Sequence, residues 1–354
     1  MKIAYFISPH GYGHATRSIA IMQALSKRNP AIEFLIISSL NEQVFSDSGI
    51  NYLYYPVVTD VGFFQHNAFA EDIEKTLTAL EELLPFSDSL LEELAQLCGG
   101  CSLICCDIAA LGIAVGQKAG IPSILLENFT WDWIYQPYIK QNKRLEEFAD
   151  YLRTFYNQAG YHIQMQPFCL PNFNADLVAP PVFRPSRSSR QEVFADLPIN
   201  GRPVVLITLG GITTSYGFIQ RLEQFPDYFF IIPSAGQYQL NHNHLLLPVQ
   251  TPYYHPDMIL GSDLVICKTG YSTMAEIYHS GVALAYVGRS VFPESAIIEK
   301  FVAQQLSGQK LSQEEFDSGD WLNRLPQLLQ LPRLPINQDS GADLIADFLL
   351  RLID

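Results

Sequence analysis

The stretch "DLVICKTGYSTMAEIYHSGVALAYVG", residues 263–288, decides the fold. "DLVICK" (263–268) is a nearly unbroken apolar run ending in Lys268, as expected of a parallel strand covered on both faces. Thr269, Gly270, Tyr271, Ser272 and Thr273 make a short loop, and the spacing predicts a helix over 272–280. "VALAYVG" (282–288) is a second buried strand. The loop's hydroxyls and N–H groups meet the positive end of that helix, which suits a diphosphate. Glu276 is expected in the helix's first turn, where a carboxylate can accept from two ribose hydroxyls. Its distance from Thr273 also fits a capping box, and the spacing leaves both readings open.

The same alternation runs outward in both directions. Upstream strand candidates are 2–8, 33–39, 51–55, 102–107 and 122–128, with helices at 15–28, 71–97 and 109–119. Pro85 should kink or break the long middle helix. In the second half, strands are expected at 202–210, 228–233, 245–249, 263–268 and 282–288. Helices are expected at 215–224, 256–261, 272–280, 294–306 and 339–353. "VAPPVFRPSRSSR" between the halves reads as a solvated linker. The pattern predicts an α/β chain of two Rossmann-like domains, 1–180 and 181–354, facing each other across a cleft.

Composition excludes several functions. The chain has 354 residues, 48% of them hydrophobic, enough for two cores. A net charge of −14 disfavours nucleic acid and anionic membranes as partners. No window supplies the ~18 apolar residues of a transmembrane segment, and "MKIAYFIS" is too short for a signal peptide. Four of the six cysteines lie between Cys98 and Cys106, but "SLICCD" reads as a buried strand rather than a metal knuckle. A cytoplasmic protein with reduced thiols is expected. No D-x-D occurs, so a metal-bridged diphosphate has no support, and His242 and His244 read as solvated loop residues.

Near the N-terminus, "SPHGYGHATRS" (8–18) links a strand to a helix. Gly11 and Gly13 are candidate acceptor-binding residues, letting backbone approach a ligand there, but the G-x-G-x-x-G spacing is not met. His14 should sit near the carboxyl end of the first strand, as a base or as a packing residue of the turn. Asp107 ends "SLICCD" at the same sheet edge, either orienting His14 and raising its basicity or capping the next helix. "NFTWDWIYQPYI" (128–139) is crowded with aromatics past another strand end. Asn128, Trp131, Asp132 and Tyr135 are its candidate acceptor-binding residues, an inter-domain contact being the alternative.

"VICKTGYSTMAE" (265–276) resembles the nucleotide-binding motif of GT-B glycosyltransferases, most nearly the peptidoglycan UDP-N-acetylglucosamine transferase family. Gly270 and Glu276 keep that family's spacing, Thr273 matches its loop hydroxyl, "GYGH" is similar to its first glycine loop, and "TLGGITTS" (208–215) to the loop opening its second domain. The resemblance implies a metal-independent, inverting glycosyltransferase that moves a sugar from a UDP-linked donor to an acceptor hydroxyl. His14 would be the base and Asp107 its orienter. Gly210, Gly211, Lys268, Thr269, Gly270, Tyr271, Ser272, Thr273 and Glu276 would hold the donor. The nucleotide-sugar is then a substrate and no cofactor is needed. The acceptor, which the sequence does not name, would be a small molecule or lipid-linked. The family's Gln or Asp-Gln pair after the last strand is replaced by "GRSVFPESAIIEK" (288–300), where Arg289 and Glu294 stand near the donor sugar. A narrower resemblance joins "ENFTWDWIY" (127–135) and "CKTGYSTMAE" to the glycosyltransferase-like region of plant arabinokinases, without the sugar-kinase ATP motif. The alternative function is an inactive nucleotide-sugar-binding or regulatory module, and a nucleotide-sugar epimerase fits less well.

Overall fold

A computed structural model describes residues 1–67, 70–210 and 216–353. The chain divides into two compact units, Met1–Phe183 with Ser340–Asp354, and Arg184–Asp339.

The first unit alternates strands and helices. Its strands are β1 (Lys2–Ile7), β2 (Glu33–Ile37), β3 (Tyr52–Tyr55), β4 (Phe64–Asn67), β5 (Ala70–Asp72), β6 (Leu103–Asp107), β7 (Ser123–Glu127), β8 (Tyr161–Met165) and β9 (Leu177–Ala179). Its helices are α1 (Tyr12–Arg28), α2 (Gln43–Ser46), α3 (Ile73–Leu83), α4 (Asp88–Leu97), α5 (Ala110–Ala119), α6 (Trp131–Tyr135) and α7 (Arg144–Tyr156). The main sheet runs β3-β2-β1-β6-β7-β8-β9, every neighbouring pair parallel, while β4 and β5 form a separate hairpin. Strand order therefore reverses between β1 and β6. Crevices at the carboxyl ends of such strands are where α/β sheets bind ligands. β1 after Lys2 and β6 up to Asp107 are apolar and buried throughout, as expected of parallel strands covered on both faces. The break expected at Pro85 separates α3 from α4.

The second unit repeats the plan. Its strands are β10 (Val204–Thr208), β11 (Phe229–Ile232), β12 (Gln239–Leu240), β13 (His244–Leu246), β14 (Leu264–Lys268), β15 (Ala283–Val287) and β16 (Gly308–Leu311). Its helices are α8 (His255–Gly261), α9 (Tyr271–Ser280), α10 (Glu294–Gln305), α11 (Gln313–Ser318) and α12 (Leu325–Leu328). The sheet runs β12-β13-β11-β10-β14-β15-β16, parallel except for the edge pair β12–β13. Its reversal point lies between β10 and β14. Where a helix was expected at 215–224, residues Ile219–Gln224 form a 3-10 turn, and Ser215 lies outside the described residues.

The last helix, α13 (Gly341–Ile353), corrects the expected boundary, because it belongs to the first unit. Ala342, Ile345, Ala346 and Leu349 form its buried stripe, and Arg28 of α1 pairs with Asp343 and Asp347 on its rim. The linker reading is corrected too. Arg187 N, Ser188 N and Ser188 Oγ all donate to Asp257, and Arg190 pairs with Asp263, so "RPSRSSR" is docked on the second unit.

Candidate functional site

In the first unit the site forms at the β1/β6 reversal. The helix after β1 starts earlier than expected, at Tyr12, with Gly11 as its N-cap at φ 75°, a conformation that suits glycine. Gly13 lies in the first turn, where its carbonyl accepts from Thr16 Oγ1 at 2.9 Å. His14 is thus the third helical residue, and its side chain faces the end of β6. His14 Nδ1 lies 2.8 Å from Asp107 Oδ1. Asp107 does not cap a helix, because α5 begins at Ala110 with Ala109 as its cap.

Asp107 is wholly buried and answered by three side chains. Arg17 Nε donates to Oδ2 at 2.7 Å, a second Arg17 nitrogen donates to Oδ1, and Ser18 Oγ donates to Oδ2 at 2.9 Å. Burial pushes the Asp107 carboxyl up, but Arg17 and then His14 more than offset it and hold it at about 2. Arg17 also donates to Asn128 Oδ1 and lies 2.9 Å from His14 Nδ1. Its effect reverses the expectation for His14. Burial first, and Arg17 second, lower the imidazole's proton affinity, and Asp107 only partly restores it. In the tautomer that gives Nδ1–H to Asp107, the Arg17 nitrogen beside Nδ1 is a contact and not a hydrogen bond, and the lone pair of the neutral ring is on Nε2. The residue after Asp107, Ile108, sits at φ 49°, which is strained for a β-branched side chain and costs on the order of 1–3 kcal/mol. Tyr156 Oη, donating to the Ile108 carbonyl at 2.9 Å, helps fix that turn.

The aromatic cluster differs from expectation. Trp131 and Tyr135 are both 0% exposed and stack on each other with centroids 5.9 Å apart. Tyr135 Oη donates to the Gly62 carbonyl, and His10 meets the Trp131 ring edge-on. These rings pack the floor of the loops and present no face to a sugar. Asp132 is held by Arg153 Nε at 2.9 Å, and Asn128 is buried against Arg17. A further carboxylate, Asp60, is buried beside the end of β1. Ser8 Oγ donates to it at 2.9 Å, and burial, against that hydrogen bond, pushes it up to about 7.

In the second unit the corresponding reversal brings the ends of β10 and β14 together, with Thr208 paired to Cys267. Gly210, at φ 80°, turns the chain after β10, and its N–H donates to Thr208 Oγ1 at 3.3 Å. Gly211 lies outside the described residues. α9 begins one turn earlier than the capping-box reading requires. Its N-cap is Gly270, with no side-chain cap, so no Thr273–Glu276 box forms. The space beside the Gly270 Cα is open. The amides of Tyr271, Ser272 and Thr273 open the helix, and its first turn holds no acidic residue.

Other donor candidates turn inward. Thr269 is buried with its hydroxyl 2.8 Å from Ser295 Oγ. Tyr271 is buried, Arg289 is buried with its guanidinium over the Phe292 ring at 3.9 Å, and Glu294 is buried as the first residue of α10. Lys268 is half-buried at the end of β14.

Glu276 is the sixth residue of α9, 3% exposed, and not in the first turn. Arg184 donates to Oε1 through Nε at 3.0 Å and a terminal nitrogen at 2.8 Å, and His255 Nδ1 donates to Oε2 at 2.7 Å. Burial raises its proton affinity, but Arg184 and then His255 override this and lower it, so Glu276 is ionised. Of the roughly four acceptor directions of a carboxylate, three are taken, so a grip on two ribose hydroxyls does not fit this arrangement.

The sequence reading missed Arg17, Asp60, Arg184 and His255. Only Arg17 carried a usable signal, since three residues after His14 it shares that helix face. His244, expected in solvent, is buried in β13 with Asn241 Nδ2 2.7 Å from its Nε2.

No family model matches the chain. A curated relative, L-arabinokinase of Arabidopsis thaliana, is 23% identical over 357 residues, covering 99% of this chain. The chain spans only 34% of that relative's length. Among solved structures, the kitacinnamycin glycotransferase matches with a TM-score of 0.64 at 14% identity, covering 100% of this chain and 99% of that one. The spinosyn forosaminyltransferase SpnP matches at 0.63 and 16%, covering both chains fully. UGT2 of Phytolacca americana, solved with UDP-2-fluoro-glucose and pterostilbene, matches at 0.61 and 15%, covering 100% of this chain and 94% of its own. The chain has the fold of the GT-B glycosyltransferases.

Proposed function

We propose that the protein is a glycosyltransferase that moves a sugar from a nucleoside diphosphate, UDP first among the candidates, to an acceptor hydroxyl with inversion. The observation that carries this reading is the buried His14–Asp107–Arg17 network at the β1/β6 reversal. It presents a neutral imidazole at the place where an α/β sheet binds ligands. In the proposed step His14 Nε2 takes the acceptor hydroxyl proton. The acceptor oxygen bonds to the anomeric carbon as the bond from that carbon to the diphosphate oxygen breaks. Asp107, in contact with Nδ1, stabilises the imidazolium that forms and partly offsets the opposing charge of Arg17.

The leaving diphosphate takes the second unit. The amides that open α9 at Gly270, with the hydroxyls of Ser272 and Thr273, Lys268 and the Gly210 turn, stabilise its charge without a metal. Two solved neighbours support a nucleotide donor: the UGT2 complex above and a glycosyltransferase, VinC, in complex with dTDP. Among the described residues no helix is long and apolar enough to cross a membrane.

A second reading, a nucleotide-sugar-binding module without turnover, is favoured by one observation: nearly the whole chain aligns with about a third of a larger kinase. Incubation with UDP- and dTDP-sugars, with and without an acceptor panel and with and without EDTA, separates them. Nucleoside diphosphate released only with acceptor, and unaffected by EDTA, supports transfer. Tight binding with no release supports the module. A new UDP-sugar isomer would replace both readings with epimerisation.

A further inference from the structure

Resting on the reading of the second unit as the nucleotide-binding one, we propose that His255 is a further binding residue, contacting the diphosphate through Nε2, with Glu276 as the positioning residue that aims it. The argument starts from Glu276. Its Oε1 is already neutralised by two bonds from Arg184, so its charge is balanced before His255 is added. The contact from His255 Nδ1 to Oε2 at 2.7 Å fixes which ring nitrogen points inward. A carboxylate oxygen accepts, so Nδ1 carries the proton and Nε2 is the ring nitrogen that Glu276 does not occupy.

That nitrogen stands at the sheet's reversal point. His255 Nε2 lies 3.4 Å from Thr208 Oγ1, the hydroxyl that also accepts from the Gly210 N–H. Thr208 ends β10 and is paired with Cys267, two residues before Thr269 and three before the Gly270 cap of α9. The imidazole therefore bridges the end of β10, where Thr208 also holds the glycine turn, and Glu276 in α9. Its side chain is 25% exposed against 3% for Glu276, so the histidine is the part of the pair a ligand can reach. With a hydrogen on each nitrogen the ring donates one to Glu276 and one to a phosphate oxygen, and both acceptors are anionic.

The test titrates the wild-type protein and His255→Gln with UDP and dTDP, and with uridine and thymidine, which lack the phosphates. The expected result is a loss of about tenfold or more in diphosphate affinity, with nucleoside affinity held within about twofold. Equal losses for diphosphate and nucleoside, or no loss, overturn the proposal. A measurement without any variant accompanies it: ¹⁵N NMR of His255 in the wild-type protein. The free protein should show the Nδ1–H tautomer, Glu276→Gln should disturb it, and UDP but not uridine should move the Nε2 signal. Unmoved His255 signals in a protein that binds UDP or dTDP sink the histidine's role and leave the nucleotide reading standing. A wild-type protein that binds none of the four probes sinks both.

Discussion

Replacing Arg17 with methionine tests the electrostatics of the first unit's site. The side chain is fully enclosed, with 1% exposure, so methionine fills much of its volume and deletes only the charge and donors. Asp107 then loses both guanidinium contacts and keeps Ser18 Oγ and His14 Nδ1. Breaking a buried ion pair from one side costs about 3–5 kcal/mol. An independent figure comes from Asp107 itself, held at about 2 against an ordinary 3.8. That difference corresponds to roughly 2–3 kcal/mol of stability, of the same order. The sign is that of a depressed carboxylate. The stability is present above pH ~4 and is lost as pH falls towards about 2. For His14 the sign runs the other way. Arg17 helps lower its proton affinity while Asp107 raises it, so Arg17→Met moves the His14 titration upward from below 6.5. Urea unfolding at pH 7 and an NMR titration of the His14 ring read the two effects separately. A variant within about 0.5 kcal/mol of wild type, with His14 titrating unchanged, would refute the network.

Three more outcomes follow. Asp60, raised to about 7 from an ordinary 3.8, destabilises the folded state as pH rises through 7. The stability difference between wild type and Asp60→Asn should therefore shift by about 2–3 kcal/mol in favour of the variant between pH 5 and 7.5, and a pH-independent difference in urea unfolding would contradict it. Gly62→Ala should cost about 2–4 kcal/mol in the same assay, because Gly62 lies at φ +60° and a Cβ would come within 2.6 Å of His10 Nδ1; a neutral substitution would show that the loop over β1 repacks freely. Arg28→Ala should cost no more than about 1 kcal/mol in thermal unfolding despite pairing with both Asp343 and Asp347, since both aspartates are more than half exposed; a larger loss would mean that the pairs, rather than the apolar stripe, hold α13.

The sheets were legible because β1, β6, β10 and β14 are buried on both faces and so read as apolar runs. β8 was not, because "YHIQM" places His162 and Gln164 in mid-strand; both satisfy Glu127, at 2.8 and 2.6 Å, a pairing that exists only once β7 and β8 lie side by side. α13 was read correctly as a helix but assigned to the wrong unit, since a periodic stripe does not say which surface it will cover. The site shows the same division. His14, Asp107 and Gly270 were visible from strand ends and glycine placement. Arg184 and His255 were not, because they meet Glu276 from 92 and 21 residues away. Trp131 and Tyr135 misled because aromatic crowding at a strand end looks the same whether the rings face a ligand or each other.

The central claim is that the start of the helix Tyr271–Ser280 receives a nucleoside diphosphate. A crystal soaked with UDP, at a concentration that raises the protein's melting temperature, tests it most directly. The account predicts phosphate density against the amides after Gly270, beside the turn at Gly210 and within hydrogen-bond reach of His255 Nε2. Bound UDP with its phosphates elsewhere, or a melting temperature that no nucleotide moves, would contradict it.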